Sequence, residues 1–575
     1  MAFSLLPLTS YAVRATGKWT VAKQSDGQTI EVCQCGDEWL HYFLSRDGVA
    51  LVRSDNGDFC YADCMGANMT SSGITAHELW QRTESEQRLI ATLGTVSVAE
   101  GYASMMRAKA NERRRLRHRS YFGSFRGLVI LANFTDKKFN EADPKAFYEQ
   151  MLNGEGFSMN DSPGSLRDYF LDQSNNQFDL TFDVAGPYTS SYASTDFKTN
   201  DAVRRNLIPE MVLNAANDVN FSDYDWDGNG EVDQVFVLYA GYGANEYYDE
   251  DESTAAAKGT IWPHEWNLSQ RLSVNGLYVY TYACGNELWT NDTYTGLGTF
   301  CHEFSHCMGL PDLYDTQWSS HTETDSGGLM DSWEIMDGGN YNHRGWVPPC
   351  YSGYERAYCG WTEPEELTAS ATIRDMMPLS EQGNVYMIVN DCDNSSIDEF
   401  YILENRQKTG WDRYVPDHGL LVMHIDYNEN VWLSNRVNTD VSHLRYMCIA
   451  ADNQPFKFYH DNTRMKGITY PYVNTDEDIV NDSLTNTSVP AATVFYTNTK
   501  GNKLMNKPVT NISEDSEHLT ISFDFMGGDP EQVAVRLPQQ TVPSGSPSTA
   551  FDLAGRRNIF GKGLYITGNK KVINK

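Results

Sequence analysis

The chain has 575 residues, and 77 acidic against 45 basic side chains give it a net charge of −32. So acidic a surface repels nucleic acids and anionic membranes, which excludes both as partners. No run of eighteen apolar residues is present, so we expect no membrane span; the length predicts roughly three or four domains.

Residues 1–15 carry a short apolar stretch followed by small residues. The apolar residues fall within 3–8, and Ala12 and Ala15 come after them. This order is typical of a signal peptide, although no basic residues precede the stretch. We interpret the segment as a truncated signal peptide, with an ordinary N-terminal strand as the alternative.

Residues 16–118 alternate short apolar runs with turn signals, which predicts a small β-rich unit with a helix over residues 76–93. The unit ends in a basic run, residues 113–119, that contains five arginines. Exposed basic runs of this kind are easily cut by trypsin-like enzymes. We therefore predict a prosegment that keeps the next domain latent until an activating protease cuts the linker.

Residues 119–365 alternate predicted strands with predicted helices, the pattern of an α/β domain. Apolar runs predict buried strands over residues 126–134 and 232–240. A further helix is predicted over residues 298–308.

An acidic loop precedes the second of these strands. Oxygen-bearing side chains alternate along it, and a glycine occupies the position where an EF-hand loop turns sharply. The predicted calcium ligands are Asp225, Asp227, Asn229, the backbone carbonyl of Glu231, and Asp233. Position twelve is Phe236 instead of a bidentate glutamate, so we expect modest affinity. The alternative is a solvated Asp/Gly turn.

The most specific pattern begins at His302. On a helix His302 and His306 share a face and can hold one metal ion, while Glu303 can reach a water bound to that ion. Gly309 and Pro311 end the helix, and the returning chain brings Asp312 into reach as third ligand. Three ligands and an open position are what catalytic zinc needs. The alternative is a helix with two surface histidines and an incidental acid.

Residues that follow the motif extend this prediction. Should Asp312 not be the third ligand, the reserve candidates are Asp315, His321 and His343. A methionine before an Asp-Gly-Gly turn, Met336, resembles the Met-turn of metzincin metalloproteases. Tyr341, just after that turn, is a candidate to stabilise the oxyanion, with simple packing as the alternative.

The extended motif, residues 302–315, is similar to that of the immune inhibitor A family of secreted bacterial metalloproteases. Similar stretches occur at residues 164–170, 225–243 and 399–406, so the resemblance covers about residues 120–525. It implies a metzincin-like catalytic domain. It departs from the commoner metzincin pattern at the third ligand, which is usually histidine.

Two regions follow the catalytic domain. Residues 366–526 are rich in predicted strands, which indicates a β-sandwich. Residues 527–575 begin with a linker composition, and the final segment resembles a type IX secretion sorting tail; a plain β-hairpin is the alternative. The predicted fold is thus an α/β metzincin-like catalytic domain flanked by an N-terminal β-rich prodomain and a C-terminal β-sandwich.

The sequence as a whole predicts a zinc-dependent endopeptidase, secreted or on the cell surface, that acts on proteins or peptides. Glu303 is its predicted general base, calcium its second cation, and a monomer its expected state. Two alternatives remain open: a calcium-stabilised surface adhesin with an inactive protease fold, and a zinc amidase acting on cell-wall peptides.

Overall fold

A computed structural model provides the structure. It describes residues 10–11, 15, 19–36, 41–54, 56–65, 68–93, 121–197, 199–245, 261–289, 292–316, 330–394, 397–440, 442–454, 465–476 and 479–528, and the backbone of short strands between 550 and 574. Contacts divide the chain into two units, residues 1–528 and 529–575.

The N-terminal region is a six-stranded antiparallel meander followed by a short helix. Its strands are β2 (Trp19–Lys23), β3 (Thr29–Gly36), β4 (His41–Ser45), β5 (Ala50–Arg53), β6 (Phe59–Met65) and β7 (Asn68–Thr75). Helix α1 (Glu84–Ile90) begins later than the sequence predicted, because Thr83 and Glu86 form a capping box there. Strand β1 (Ser10–Tyr11) lies within the segment 1–15.

A mixed sheet forms the middle of the unit. Its strands are β8 (Gly123–Asn133), β9 (Phe178–Thr189), β10 (Glu231–Val232), β11 (Val235–Tyr242), β12 (His264–Val274) and β13 (Leu277–Leu288). The order is β1-β12-β13-β11-β8-β9, with β10 also paired to β13. Strands β13, β11, β8 and β9 are parallel, whereas β12 runs antiparallel to β13 and β1 antiparallel to β12.

Helices cover both faces of this sheet, which explains the unbroken apolar run of β8. Val129 and Leu131 point to a core shared with the helix of the histidine motif, while Leu128 and Ile130 point to a second core on the other face. Alternate residues of a strand face opposite ways, so a strand buried on both faces needs apolar residues throughout. The helices are α2 (Pro144–Asn153), α3 (Leu166–Gln173), α4 (Asn200–Ala202), α5 (Ile208–Ala215), α6 (Gly298–Cys307) and α7 (Gly353–Tyr358).

The following region is rich in strands. One sheet has the order β14-β16-β17-β18-β19 and another the order β15-β23-β22, with a separate β20-β21 pair. The elements are β14 (Glu365–Glu366), β15 (Ala371–Met376), β16 (Tyr386–Val389), β17 (Asp398–Arg406), β18 (Gly419–Tyr427), α8 (Glu429–Leu433), β19 (Tyr446–Cys448), β20 (Tyr472–Asn474), β21 (Ile479–Asn481), β22 (Val509–Asp515) and β23 (Thr520–Phe525).

The two faces of β17 and β18 join different cores. Leu403 and Val422 pack with the three-stranded sheet, whereas Ile402 and Met423 belong to the core that contains the motif helix. The strand-rich region is therefore continuous with the α/β domain through buried side chains.

In the second unit the strands are β24 (Ala550–Phe551), β25 (Arg557–Asn558), β26 (Gly563–Thr567) and β27 (Lys570–Asn574), in the order β25-β24-β26-β27. The predicted basic linker at 113–119 lies outside the described residues. Among those described, no helix combines the length and apolar character needed to cross a membrane.

Candidate metal centre and active site

Helix α6 carries the histidine motif and is buried from Gly298 to His306. Phe300 stacks on Phe236 at 4.3 Å between ring centroids, which holds the helix against the sheet. The helix can start where it does because residue 298 is glycine: a Cβ there would overlap the carbonyl oxygen of Asn340. This close approach packs the start of the helix against the segment that follows Met336.

His302, His306 and Asp312 meet in one buried cluster. The two Nε2 atoms are 3.1 Å apart, and Asp312 Oδ1 lies 3.3 Å from Nε2 of His302 and 3.4 Å from Nε2 of His306. Two ligands at about 2.05 Å from a tetrahedral zinc are about 3.3 Å apart. The three atoms therefore have the spacing that one zinc ion requires.

Hydrogen bonds fix how the two imidazoles present their nitrogens. Nδ1 of His302 lies 2.8 Å from the carbonyl oxygen of Ile335, and Nδ1 of His306 lies 2.8 Å from that of Leu310. A carbonyl accepts, so Nδ1 carries the hydrogen and Nε2 keeps its lone pair. Burial lowers the pKa of His306 to about 4, which keeps that ring neutral at neutral pH.

Asp312 is ionised in this setting. Burial would raise the pKa of its carboxyl, but the positive charge and hydrogen bonds that the facing imidazoles offer when protonated outweigh burial and hold the pKa below its usual range. Two nitrogen lone pairs and a carboxylate thus converge with no positive charge of their own. Because like acceptors repel at this distance, the arrangement fits a bound cation.

The chain reaches Asp312 through a tight reversal. Gly309 adopts φ +93°, a conformation that side chains rarely tolerate, and its N–H donates to the carbonyl of His306 at 2.9 Å. Asn435 then holds Asp312 from the strand-rich region: its Nδ2 donates to Asp312 Oδ2 at 2.5 Å, and its Oδ1 accepts from the Asp312 backbone N–H at 2.7 Å. Sequence reasoning missed Asn435, because no motif marks it.

Met336 and Tyr341, the two residues predicted to support the site from the turn after the motif, differ in burial. Met336 is fully buried, and its carbonyl accepts from the Leu313 N–H at 2.9 Å. It follows Ile335, the acceptor for His302. Tyr341 is half-buried, and its hydroxyl accepts a hydrogen bond from Asn245 Nδ2 at 2.9 Å.

The two reserve ligands that the structure describes, Asp315 and His343, do not join the cluster. Asp315 is buried but outside it, and His343 stacks on Tyr414 at 4.1 Å between ring centroids. His321 lies outside the described residues. Glu303, the predicted base, is fully buried on the motif helix beside His302.

The acidic loop brings three of its five predicted ligands together. Carboxylate oxygens of Asp225, Asp227 and Asp233 form a second cluster. Backbone N–H groups bind the same side chains: Gly230 N donates to Asp225 at 2.9 Å, and Trp226 N to Asp233 at 2.6 Å.

Asn229 lies beside this cluster, since its Nδ2 donates to Asp227 Oδ2 at 3.1 Å, and the fifth predicted ligand is the backbone carbonyl of Glu231, not its carboxylate. Oδ1 of Asn229 accepts from the Glu231 N–H at 2.8 Å, and the Glu231 carboxylate pairs with Arg271 at 3.1 Å. The loop thus brings the carboxylate oxygens of Asp225, Asp227 and Asp233 close together.

Most of the α/β domain is similar to a known protein family. Residues 128–361 match the family described as "Immune inhibitor A peptidase M6, catalytic domain". The chain is also similar to "Pre-pro-metalloprotease PrtV" of Vibrio cholerae serotype O1, with 24% identity over 255 residues, which cover 39% of this chain and 27% of that protein. It is similar to "Immune inhibitor A" of Bacillus thuringiensis subsp. alesti, with 24% identity over 278 residues, covering 40% of this chain and 39% of that protein.

These matches confirm the family resemblance predicted from the motif. The chain spans 27% to 39% of the length of these relatives.

Proposed function

Because residues 128–361 match the peptidase M6 catalytic domain, we propose that this protein is a secreted zinc endopeptidase that hydrolyses peptide bonds of proteins. The observation that carries the proposal is the convergence of two imidazole lone pairs and the Asp312 carboxylate at 3.1–3.4 Å. Zinc accepts this nitrogen and oxygen set and leaves a fourth position open to substrate and water.

Zinc bound there would polarise the scissile carbonyl and make water acidic enough to attack near neutral pH. In our proposal Glu303 accepts the proton of the attacking water and passes it to the leaving amine. His302 and His306 stay oriented through their bonds to Ile335 and Leu310. Tyr341 is proposed to donate to the developing oxyanion, supported by the bond from Asn245 that orients its hydroxyl.

We also propose calcium in the cluster of Asp225, Asp227 and Asp233. Carboxylate oxygens are the ligands that calcium prefers, and the loop joins α5 to β11 in the catalytic sheet. An ion there would neutralise the repulsion between the three side chains and stabilise this part of the domain.

For the N-terminal region we propose a latency function, which three contacts support. Strand β1 pairs with edge strand β12, Gln34 Nε2 donates to the Ala244 carbonyl at 3.0 Å, and His41 stacks on Trp262 at 4.7 Å. An edge strand has unpaired backbone groups that can bind an extended peptide. While β1 occupies that edge, a substrate peptide could not pair with the same residues.

The localisation, oligomeric state and partners of the protein are also proposed. We propose secretion or display at the cell surface, a monomeric state, protein or peptide substrates, and an activating protease that cuts near residues 113–119. The final segment, residues 550–574, is proposed as a sorting tail.

Zymography on casein and gelatin tests the proposed activity. We expect clearing zones that disappear with a chelator and return with zinc. Absence of clearing on both substrates would favour a surface adhesin. Release of cell-wall peptides without clearing would favour an amidase.

A further inference from the structure

A cavity of about 200 Å³ lies between the α/β domain and the strand-rich region. Its walls include Gln173 at the end of α3, Arg356 in α7, and Gln382 before β16. No residue of the metal cluster lines it. The volume exceeds that of several water molecules at about 30 Å³ each, so a small organic molecule fits.

Arg356 contributes a buried positive charge to this cavity. It is 3% exposed, and its terminal nitrogens donate to neutral amide oxygens, to Gln173 at 3.0 Å and to Gln382 at 3.4 Å. Within the described part of the chain, its Nε has no hydrogen-bond acceptor and no carboxylate forms an ion pair with it. Buried charges are ordinarily paired.

Arg406, a fully buried arginine, shows the ordinary arrangement. Its guanidinium pairs with Glu404 at 3.0 Å and Asp412 at 2.6 Å. Arg356 interacts with the charge of Asp172 without forming an ion pair to it, so it has no directly paired anion among the described residues.

Gln173 adds a second unused donor. Its Oε1 accepts from the Tyr351 N–H at 3.0 Å and from Arg356 at 3.0 Å, which fixes the amide orientation. Its Nε2 is then left without an acceptor among the described residues, although the side chain is 1% exposed. A planar carboxylate can accept from a guanidinium and an amide at once.

The opening of the cavity carries the opposite charge. Glu363 and Glu365 also line it, and both are exposed. An anion alone would be repelled there, whereas a molecule with a carboxylate at one end and an ammonium at the other would meet a complementary charge at each end. We propose that this cavity binds a small zwitterion of the amino acid or dipeptide class, with its carboxylate on Arg356 and Gln173.

Calorimetric titration of the full chain tests the proposal with three probes of similar size. Glycylglycine carries both charges, acetylglycine lacks the ammonium, and glycine amide lacks the carboxylate. We expect glycylglycine to bind, acetylglycine to bind about two- to fivefold more weakly, and glycine amide to give no binding heat. Equal binding of glycine amide, or no binding of glycylglycine, would overturn the proposal.

Two variants locate the binding. Gln173→Glu places a carboxylate beside Arg356, so it should abolish glycylglycine binding and raise the melting temperature. Because Gln173 is buried, the surface variant Glu363→Gln/Glu365→Gln provides an independent test. It should remove the difference between glycylglycine and acetylglycine and retain binding of both. Unchanged glycylglycine affinity in a folded Gln173→Glu protein would contradict this site. Loss of binding in that variant excludes the metal centre as the place where glycylglycine binds, because Gln173 does not belong to the metal cluster.

Discussion

Asn435 and Asp312 form a reciprocal pair, although 123 residues separate them along the chain. The asparagine amide donates to the carboxylate oxygen Oδ2 and accepts from the aspartate backbone, leaving Oδ1 directed at the two histidines. A residue of the strand-rich region thereby orients the proposed third metal ligand. The proposed metal site therefore draws on two regions, because Asn435 of the strand-rich region supports a ligand of the α/β domain.

We predict that Asn435→Gly weakens zinc binding by about 10- to 100-fold, as is usual when a partner that orients a ligand is lost. Glycine is the suitable replacement because Asn435 has φ +48°, which glycine adopts without strain. Competition with a chelator of known affinity measures the effect.

Asn176→Gly is the matched control, since Asn176 is exposed and has φ +59°. It should retain the affinity of the unchanged protein. Asp312→Ala should lose more zinc than Asn435→Gly, whereas Asp315→Ala should act less directly. Loss of zinc confined to Asp315→Ala or His343→Ala would show that Asp312 is not the ligand.

The sequence allowed the local part of this site to be predicted. His302, His306 and Asp312 lie within eleven residues, so helix periodicity and one glycine turn determine their meeting. Asn435 depends on packing between distant segments, and Ile335 and Leu310 act through backbone carbonyls that any residue has. Neither kind of contact leaves a pattern in a single sequence.

The bounds of helices and strands were likewise predicted well where they depend on neighbouring residues, and less well where they depend on contacts between distant residues. The motif helix was predicted within one residue of its observed end at Cys307. The strand predicted over residues 232–240 is instead two strands, because Asp233 donates its N–H to the Tyr224 carbonyl and turns to bind Trp226. The contacts of Asp233 thus divide a segment that its apolar pattern predicted to be a single strand.

Calcium should raise the melting temperature of the protein. An ion that binds the folded state alone stabilises by about 2.7 kcal/mol at one hundred times its dissociation constant. Asp225→Asn should reduce the response, whereas Glu155→Gln, a change at an exposed acid outside the cluster, should not. Thermal unfolding from micromolar to millimolar calcium measures this, and a constant melting temperature would count against the site.

Stability should decrease with rising pH because of a buried carboxyl pair. Glu334 and Glu355 are fully buried and close enough for their charges to interact. Burial, followed by the charge of Glu355, raises the pKa of Glu334 well above its ordinary value of 4.5. A pKa raised by folding gives a stabilisation that is complete below the unfolded pKa and is lost as pH rises towards the folded pKa.

Glu334→Gln removes this titration, since its side chain is neutral at every pH. We therefore expect its free energy of unfolding to fall less between about pH 5 and pH 8 than that of the unchanged protein. Glu155→Gln serves as the exposed control and should follow the unchanged protein. Denaturant unfolding across this pH range measures the free energy of unfolding of each protein. The same dependence of that free energy on pH in Glu334→Gln and in the control would refute the explanation.

Limited trypsin digestion should activate the protein. A cut at residues 113–119 breaks the chain between the N-terminal region and the α/β domain. Strand β1 is then held to β12 by non-covalent contacts alone and can dissociate. We expect a new N-terminus near Arg119 and a rise in proteolysis. Replacing the five arginines of that run with glutamine should prevent both changes. Full activity of the uncut chain, or lost activity after the cut, would reject latency.

The most direct test of the proposed function is Glu303→Ala, assayed for zinc content and for proteolysis in one preparation. Glu303 is proposed as the base and not as a ligand, so zinc should remain stoichiometric while turnover falls by at least about 10²- to 10⁴-fold. Retained proteolysis in a preparation free of other proteases would contradict the assignment of Glu303 as the base. Loss of zinc along with activity would instead make Glu303 part of the metal site and contradict its assigned role.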